Sequence, residues 1–391
     1  MHLKFNAPFL PQYTAELIGG ETTLNLIKNN LGSRTAALLK SAFEAIPAQV
    51  STLILIENNL SGTFGGLASV FNGIPDTVTS LDLYINNLGS CTGAEFRLSC
   101  AAIPTTVTAL NLGWNNLSTR TGAELAAAFA TLTGVIKLEL RFNNLGRLEG
   151  EQLALAFAGI TSTVRSVDLG DNNLNTRTGA ELGLAFKAFP RTVTSLNLEL
   201  NNLGSLTGEQ LVLAFTNISS GISTLNLASN ALCIRPIAEL VLALAAIPLN
   251  VTKLDMRSNN LGNYPARELA TALAAIPEGV TSIDLGGNYL DSKTDEEWVL
   301  LLNSLPITVT DVISDGLSGR KINQIHQEIR EALEIIKKST SFNSDISGII
   351  LRYTANTVNF WNRPSMIVAP QKGLTQIEDN LSGKPTRSNT L

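Results

Sequence analysis

Residues 81–88 of the chain read Leu-Asp-Leu-Tyr-Ile-Asn-Asn-Leu, and this stretch decides the fold. Leu81 and Leu83 alternate with polar residues, so one side of a short strand faces a core and the other faces solvent. Asn86 follows the strand, and its amide can hydrogen-bond backbone groups that lose their sheet partners as the chain turns. The stretch therefore predicts a half-buried strand closed by an asparagine turn.

The same pattern, Leu-x-Leu-x-x-Asn-x-Leu, recurs along most of the chain. Aligned on the first asparagine, successive copies are 29, 28, 29 and 28 residues apart, and then five times 29. The asparagines are Asn29, Asn58, Asn86, Asn115, Asn143, Asn172, Asn201, Asn230, Asn259 and Asn288. Copies at so regular a spacing define a tandem repeat, in which each unit packs on its neighbours. We expect the ten asparagines to stack into a ladder.

This pattern resembles that of the leucine-rich-repeat family, L-x-x-L-x-L-x-x-N-x-L, from about residue 21 to residue 290. The 28–29-residue period is similar to that of the ribonuclease-inhibitor-like subclass. The resemblance implies an α/β solenoid, a curved horseshoe with a parallel β-sheet on the concave face and α-helices on the convex face. It implies little about function, because the fold carries many unrelated binding proteins.

A helix-start signal follows each turn. Thr92-Gly-Ala-Glu95 is a capping box, in which the threonine hydroxyl and the glutamate carboxylate accept hydrogen bonds from helix-start N–H groups. Equivalent tetrads begin at Thr121, Thr178, Thr207 and Thr294. Apolar residues then recur at helical spacing, and a proline marks the end of most helices. These prolines are Pro47, Pro75, Pro104, Pro190, Pro248, Pro277 and Pro306.

The repeat pattern also divides the chain into segments. We expect an N-terminal cap in residues 1–20, a leucine-rich-repeat domain in 21–311, a capping helix in 312–345 and a C-terminal extension in 346–391. Val309-Thr-Asp-Val312 resembles a degenerate eleventh strand. The capping helix is predicted by an apolar stripe at helical spacing, and a partner-docking helix is the alternative. The stripe consists of Ile322, Ile325, Ile329, Leu333 and Ile336. After residue 370 the composition is polar and predicts a flexible tail.

Charge and cysteine content argue against several classes of function. Residues 1–311 hold 18 Lys and Arg against 26 Asp and Glu, whereas nucleic-acid binding needs clustered cations. Three cysteines cannot form a disulfide framework and show no metal-ligand spacing. No apolar run reaches the length of a signal peptide core or a membrane span, and the C-terminal residues carry no cysteine for a lipid anchor. We expect a soluble protein without metal or cofactor.

Catalysis has little support in the sequence. The two histidines, His2 and His326, lie outside the repeats, so no repeat offers a Ser-His or Cys-His pair. Cys91 and Arg97 have the C-x5-R spacing of cysteine phosphatases, which makes a phosphatase at Cys91 an alternative. That segment is, however, the ordinary loop and capping box of its repeat, and a phosphate loop needs free backbone donors. The sequence therefore predicts a protein that is not an enzyme.

The outward strand positions suggest a binding surface instead. Acidic side chains dominate them, and the column just before the ladder asparagine holds Ile85, Trp114 and Phe142 in three consecutive repeats. Exposed aromatic and arginine side chains mark protein interfaces. The predicted partner-binding residues are Ile54, Ile56, Tyr84, Ile85, Trp114, Glu139, Arg141 and Phe142. The alternative is that these side chains fold over the strand edge and pack only on one another.

The regular repeats and the polar tail are similar to those of leucine-rich-repeat effectors that intracellular bacterial pathogens deliver into host cells by type IV secretion. The resemblance implies a non-enzymatic virulence protein that binds a target protein on its concave face. It also implies a location first in the bacterial cytoplasm and then in the host cytosol, with an export signal in Gln371 to Leu391. We expect a monomer. An inhibitor or partner of an enzyme within the producing cell is the alternative.

Overall fold

The computed structural model describes residues 22–63 and 66–314 of the chain. These residues form one sheet of eleven parallel strands, and the order of the strands in the sheet is their order in the sequence. The predicted solenoid is confirmed, and the expected eleventh strand is present at Asp311–Ile313. The predicted N-terminal cap, the apolar stripe at 322–336 and the C-terminal extension lie outside the described residues.

Each repeat contributes a three-residue strand, a short 3-10 turn and an α-helix. The strands are β1 Thr23–Asn25, β2 Thr52–Ile54, β3 Ser80–Asp82, β4 Ala109–Asn111, β5 Lys137–Glu139, β6 Ser166–Asp168, β7 Ser195–Asn197, β8 Thr224–Asn226, β9 Lys253–Asp255, β10 Ser282–Asp284 and β11 Asp311–Ile313. The helices are α1 Ala36–Glu44, α2 Leu67–Phe71, α3 Gly93–Ala101, α4 Gly122–Phe129, α5 Gly150–Ala158, α6 Gly179–Lys187, α7 Gly208–Thr216, α8 Ile237–Ala245, α9 Ala266–Leu273 and α10 Asp295–Ser304. The 3-10 turns are Leu31–Ser33, Leu60–Gly62, Leu88–Ser90, Leu117–Thr119, Leu145–Arg147, Leu174–Thr176, Leu203–Ser205, Leu232–Ile234, Leu261–Asn263 and Leu290–Ser292.

The core lies between the sheet and the helices. The middle residue of each strand is in register with the middle residue of the next, as Leu110 is with Leu138, and these side chains are buried. From the helix side, a column of phenylalanines fills the core: Phe96, Phe129, Phe157, Phe186 and Phe215. One face of every strand is therefore covered and the other is open.

The predicted capping boxes mark the start of four of the ten helices in the described residues. Both halves of the box form at Thr92, Thr121, Thr178 and Thr294. At Thr207 the hydroxyl accepts from the Gln210 N–H, and the reciprocal bond is absent from the described contacts of this pair. A capping side chain stabilises a helix by about 1 kcal/mol, so the repeated threonine fixes the helix register.

The open face of the sheet is the concave one. Parallel strands pack about 4.8 Å apart, whereas packed helices need about 8–10 Å. A stack of strand-helix units must therefore curve toward the strands. The outward side chains of all the strands consequently converge on a single surface.

The asparagines of the repeat hold the turns together. The Asn172 amide donates from Nδ2 to the Leu140 carbonyl of the preceding repeat at 2.9 Å and to the Leu169 carbonyl of its own repeat at 3.0 Å. Its Oδ1 accepts from the N–H groups of Asn143 and Leu145 at 3.0 and 3.2 Å. Asn172 is fully buried. The equivalent bonds repeat along the chain, so one side chain satisfies backbone groups from two neighbouring repeats.

Candidate protein-binding site

An aromatic cluster, which we define as Tyr84, Trp114 and Phe142, lies on the concave face. The Trp114 and Phe142 ring centroids are 5.0 Å apart, and the Tyr84 ring meets both rings edge-on at 6.2 and 6.4 Å. These are favourable aromatic geometries. Even so, 51% of the Trp114 surface remains exposed. The rings therefore support one another and still leave a large apolar face in solvent.

Tyr84 reaches the other two rings because the next repeat has a glycine at the equivalent position. A Cβ atom built on Gly113 would lie 2.7 Å from Cδ2 of the Tyr84 ring. The Tyr84 ring thus occupies the space that a side chain at position 113 would fill. Any larger residue at position 113 would displace it.

The cluster opens into a cleft at the edge of the sheet where the strands end. This rim cleft has a volume of about 540 Å³, which is in the range of ligand pockets. Three apolar residues, Ile85, Trp114 and Phe142, form its middle, and an acidic residue stands in the same column on either side, Glu57 and Asp171. The second wall is a column of asparagines, one after each ladder asparagine: Asn59, Asn87, Asn116 and Asn144. The cleft thus combines an aromatic centre, amide groups and acidic ends.

Both walls of the rim cleft are built from left-handed backbone. The φ angles of Ile85, Trp114 and Phe142 are 56°, 51° and 57°, and the asparagine column has similar values. Asparagine tolerates this conformation, but a β-branched or aromatic residue adopts it at a cost. Backbone strain of this kind concentrates at functional sites. The three apolar residues with this backbone conformation all line the rim cleft.

Ion pairs surround the aromatic cluster. Nη1 of Arg141 lies 2.7 Å from Oε2 of Glu199 and 3.8 Å from Oδ2 of Asp168. The Arg141 guanidinium also lies 5.6 Å from the centroid of the Phe142 ring, within range of a cation–π interaction. Lys137 pairs with Glu139 of the same strand. The cations near the cluster are therefore already neutralised.

The polar residues at the third position of the strands, many of them acidic, have a structural role that the sequence did not predict. In eight repeats an Asp or Asn at the third strand position accepts a hydrogen bond from the N–H two residues later, as Asp82 does from Tyr84 at 3.0 Å. Burial raises the pKa of Asp82 and of Asp168, although these backbone hydrogen bonds oppose the shift. The carboxylates thus cap the strand ends and also give the surface its charge.

The structure brings five of the eight predicted residues together. Ile85, Trp114 and Phe142 line the rim cleft, and Tyr84 and Arg141 contact its aromatic rings. The remaining three, Ile54, Ile56 and Glu139, lie on the same face and are not among the lining residues. The sequence reasoning missed the cleft-lining asparagine column and the role of Gly113. The available signals were the repeated Asn-Asn doublet and the glycine at position 113, in the same column as Tyr84.

Cys91, the alternative catalytic residue, is buried. Burial and the nearby Glu95 raise the pKa of its thiol. The adjacent backbone donors belong to the capping box, since the Thr92 N–H binds Oε2 of Glu95 at 2.8 Å. Both features oppose a thiolate that holds a phosphate. Within residues 22–63 and 66–314, no group of three His, Cys, Asp or Glu side chains is arranged to hold a metal ion.

We compared the chain with known protein families and solved structures. No protein-family model matches the chain, and no curated protein matches it. Among solved structures, the leucine-rich-repeat-containing protein LegL7 from Legionella pneumophila is similar, with a TM-score of 0.58 and 28% sequence identity over 68% of this chain and 95% of that protein. The described residues form a leucine-rich-repeat solenoid. No helix among them is long and apolar enough to cross a membrane.

Proposed function

We propose that this chain is a non-enzymatic protein-interaction scaffold that holds one partner protein against the aromatic cluster on its concave face. The observation that carries the proposal is the exposure of Trp114, which is 51% accessible although it contacts two other aromatic rings. Large exposed aromatic side chains dominate the binding energy of protein interfaces. The leucine-rich-repeat fold itself supports an interaction role.

The rigidity of the cluster strengthens this proposal. The Tyr84 ring is held by Gly113 and by its edge-on contacts, and the Arg141 guanidinium is held by Glu199. A surface that is already ordered loses little side-chain entropy when a partner binds. The exposure of Trp114 also supports the proposal over the alternative that the rings only pack on one another, because their mutual packing leaves half of the Trp114 surface accessible.

Affinity capture with the full chain tests the proposal. Trp114→Ala should lower the affinity for the captured partner about thirtyfold or more while the protein keeps its fold, because truncation of a central interface aromatic costs about 2 kcal/mol or more. Tyr289→Ala is the matched control, since Tyr289 is an exposed aromatic residue in the cleft-side asparagine column but lies several repeats away. Equal partner affinity of wild type and Trp114→Ala would show that the cluster is not the docking surface.

We propose further that the scaffold acts as an effector delivered into host cells by type IV secretion. Support comes from the effector-like sequence features and from the similarity to a leucine-rich-repeat protein of Legionella pneumophila. A reporter enzyme fused to the N-terminus of the full chain should appear in the host cytosol, and the same fusion without residues 371–391 should not. If the full-length fusion stays in the bacterium, the alternative of a partner for an enzyme in the producing cell is favoured.

A further inference from the structure

The charges around the aromatic cluster are unbalanced. On the open face of the sheet, the five repeats that contain β3 to β7 carry five carboxylates and two cations. The carboxylates are Asp82, Glu139, Asp168, Asp171 and Glu199, and the cations are Lys137 and Arg141. Both cations are already paired, Lys137 with Glu139 and Arg141 with Glu199. Among the described ion pairs, Asp82 and Asp171 therefore have no cationic partner.

These two carboxylates stand on different sides of the cluster. Asp171 lines the rim cleft in the same column as Phe142, one repeat further along the sheet. Asp82 precedes Tyr84 by two residues and lies half-buried on β3, where its ionised form is disfavoured by burial and by Glu139. A cation supplied from outside would relieve this repulsion at Asp82 and would give Asp171 a cationic partner. The exposed face of Trp114 lies between them.

The second wall of the rim cleft completes the arrangement. Asn87, Asn116 and Asn144 line the cleft. A side-chain amide can both donate to and accept from a peptide backbone, and in Asn144 the amide oxygen already accepts from Nδ2 of Asn173 at 3.0 Å. Lys and Arg side chains pack their aliphatic stems on aromatic rings while the charged ends reach a carboxylate. The cleft and the adjoining strands can therefore bind three parts of a basic segment. The asparagine amides suit its backbone, the aromatic rings suit the aliphatic stems of its side chains, and the carboxylates suit its charged groups.

We infer that the rim cleft and the adjoining strands bind a basic segment of another protein, with one apolar side chain against Trp114 and a Lys or Arg on either side of it, toward Asp171 and Asp82. This inference rests on the proposed function and names the chemistry of the partner. It commits to a cationic segment because the carboxylates near the cluster outnumber the available cations. An acidic or neutral segment would leave Asp82 and Asp171 without a cationic partner.

Three synthetic peptides test this inference with the full chain. The first has a phenylalanine with two lysines on each side, the second replaces the lysines by glutamates, and the third replaces the phenylalanine by alanine. Fluorescence anisotropy should show binding of the first peptide, weaker binding of the third and none of the second. Binding of the first peptide should weaken as salt increases, because exposed charge pairs are screened. Failure of the first peptide to bind, or equal binding of the second, would overturn the inference.

Charge variants locate the contact. Asp171→Asn keeps the shape of the side chain and suits the left-handed backbone, whose φ is 50°. Asp171→Asn should lower the affinity for the first peptide about threefold or more, and Asp171→Lys should abolish its binding. Asp76→Asn removes the same charge from an exposed loop before β3 and should change nothing.

The same variants separate this inference from the proposed function. Suppose that Trp114→Ala releases the captured partner but neither Asp82→Asn nor Asp171→Asn changes the affinity for the peptide or the partner. The inference of a basic segment would then be contradicted, whereas the proposed docking surface at the aromatic cluster would be supported. If Trp114→Ala changes nothing, the docking surface itself is wrong.

Discussion

Arg141 passes directly over Gly170 to reach Glu199, two repeats away in the sequence. A Cβ atom on Gly170 would lie 2.8 Å from Cζ and Nη1 of the guanidinium. The missing side chain at position 170 thus makes room for an ion pair that joins the region just after β5 to the region just after β7. Gly113 makes room for Tyr84 in the same way.

Gly170→Ala should therefore break the Arg141–Glu199 contact while it leaves the backbone unstrained. The guanidinium can move into solvent, so the free energy of unfolding should fall by no more than about 1 kcal/mol. A double-mutant cycle between Arg141→Ala and Glu199→Ala, measured by urea unfolding, should show coupling in the wild-type background and little in the Gly170→Ala background. Undiminished coupling would mean that the arginine reaches Glu199 by another route.

Asn172→Ala should be one of the most destabilising single substitutions in the chain. It leaves the N–H groups of Asn143 and Leu145 without their acceptor inside the protein. Each buried polar group without a partner costs about 1–3 kcal/mol, so the loss should be about 3 kcal/mol or more by urea unfolding. Asn175→Ala, which removes the bond to the Ser205 hydroxyl near the surface, should cost under about 0.5 kcal/mol.

Ala231→Asn should stabilise the protein. Ala231 occupies the left-handed position that an asparagine holds in eight of the other nine repeats, and its φ is 54°. Asparagine adopts this conformation more readily than alanine, and the expected gain is about 0.5 kcal/mol in the free energy of unfolding. Ala238→Asn, on the exposed side of α8, should instead destabilise, because asparagine is a weaker helix former.

Asp82→Asn should change the dependence of stability on pH. Burial raises the pKa of Asp82 in the folded protein, so its ionised form lowers stability at neutral pH and protonation removes that cost. The variant should be slightly more stable than wild type at pH 7, and the difference should shrink as the pH falls through the folded-state pKa of Asp82. Its amide can still accept from the Tyr84 N–H, as Asn111 does from Gly113. A difference that grows on acidification would contradict the raised pKa.

Thiol labelling should distinguish the three cysteines. Cys91 and Cys100 are buried, and burial raises the pKa of both thiols, whereas Cys233 is partly exposed. One thiol per folded chain should react rapidly with a disulfide reagent at pH 8, and all three should react in urea. Cys233→Ser should abolish the rapid reaction. Rapid labelling of Cys91 in that variant would revive the phosphatase alternative.

The fold could be predicted from the sequence because the residues that determine each repeat lie within that repeat. The alternation around Leu81 and Leu83 sets the strand and Asn86 sets the turn, and ten copies repeat these two signals. The Thr92 capping box sets the helix start, and it recurs at Thr121, Thr178 and Thr294. Such local determinants need no long-range information.

The candidate site was harder to predict because it depends on side chains in different repeats. The contact of Arg141 with Glu199 spans 58 residues, and nothing in either repeat alone indicates it. The left-handed φ of Trp114, which places the ring at the rim, follows from the turn geometry and runs against the preference of the residue itself. The structural role of the Asp and Asn side chains at the third strand position was also not predicted, because the sequence analysis considered only the charge of this column.

The asparagine ladder has a direction. Each side chain bonds the repeat before it, as Asn58 accepts from the N–H groups of Asn29 and Leu31 and donates to the carbonyl of Leu26. Cutting the chain between two repeats would therefore create unequal ends: the upstream fragment would lose the acceptor for two backbone donors, and the downstream fragment would keep a side chain with unused capacity. Fragments shortened from the C-terminal side should fray more at the cut than fragments shortened equally from the N-terminal side.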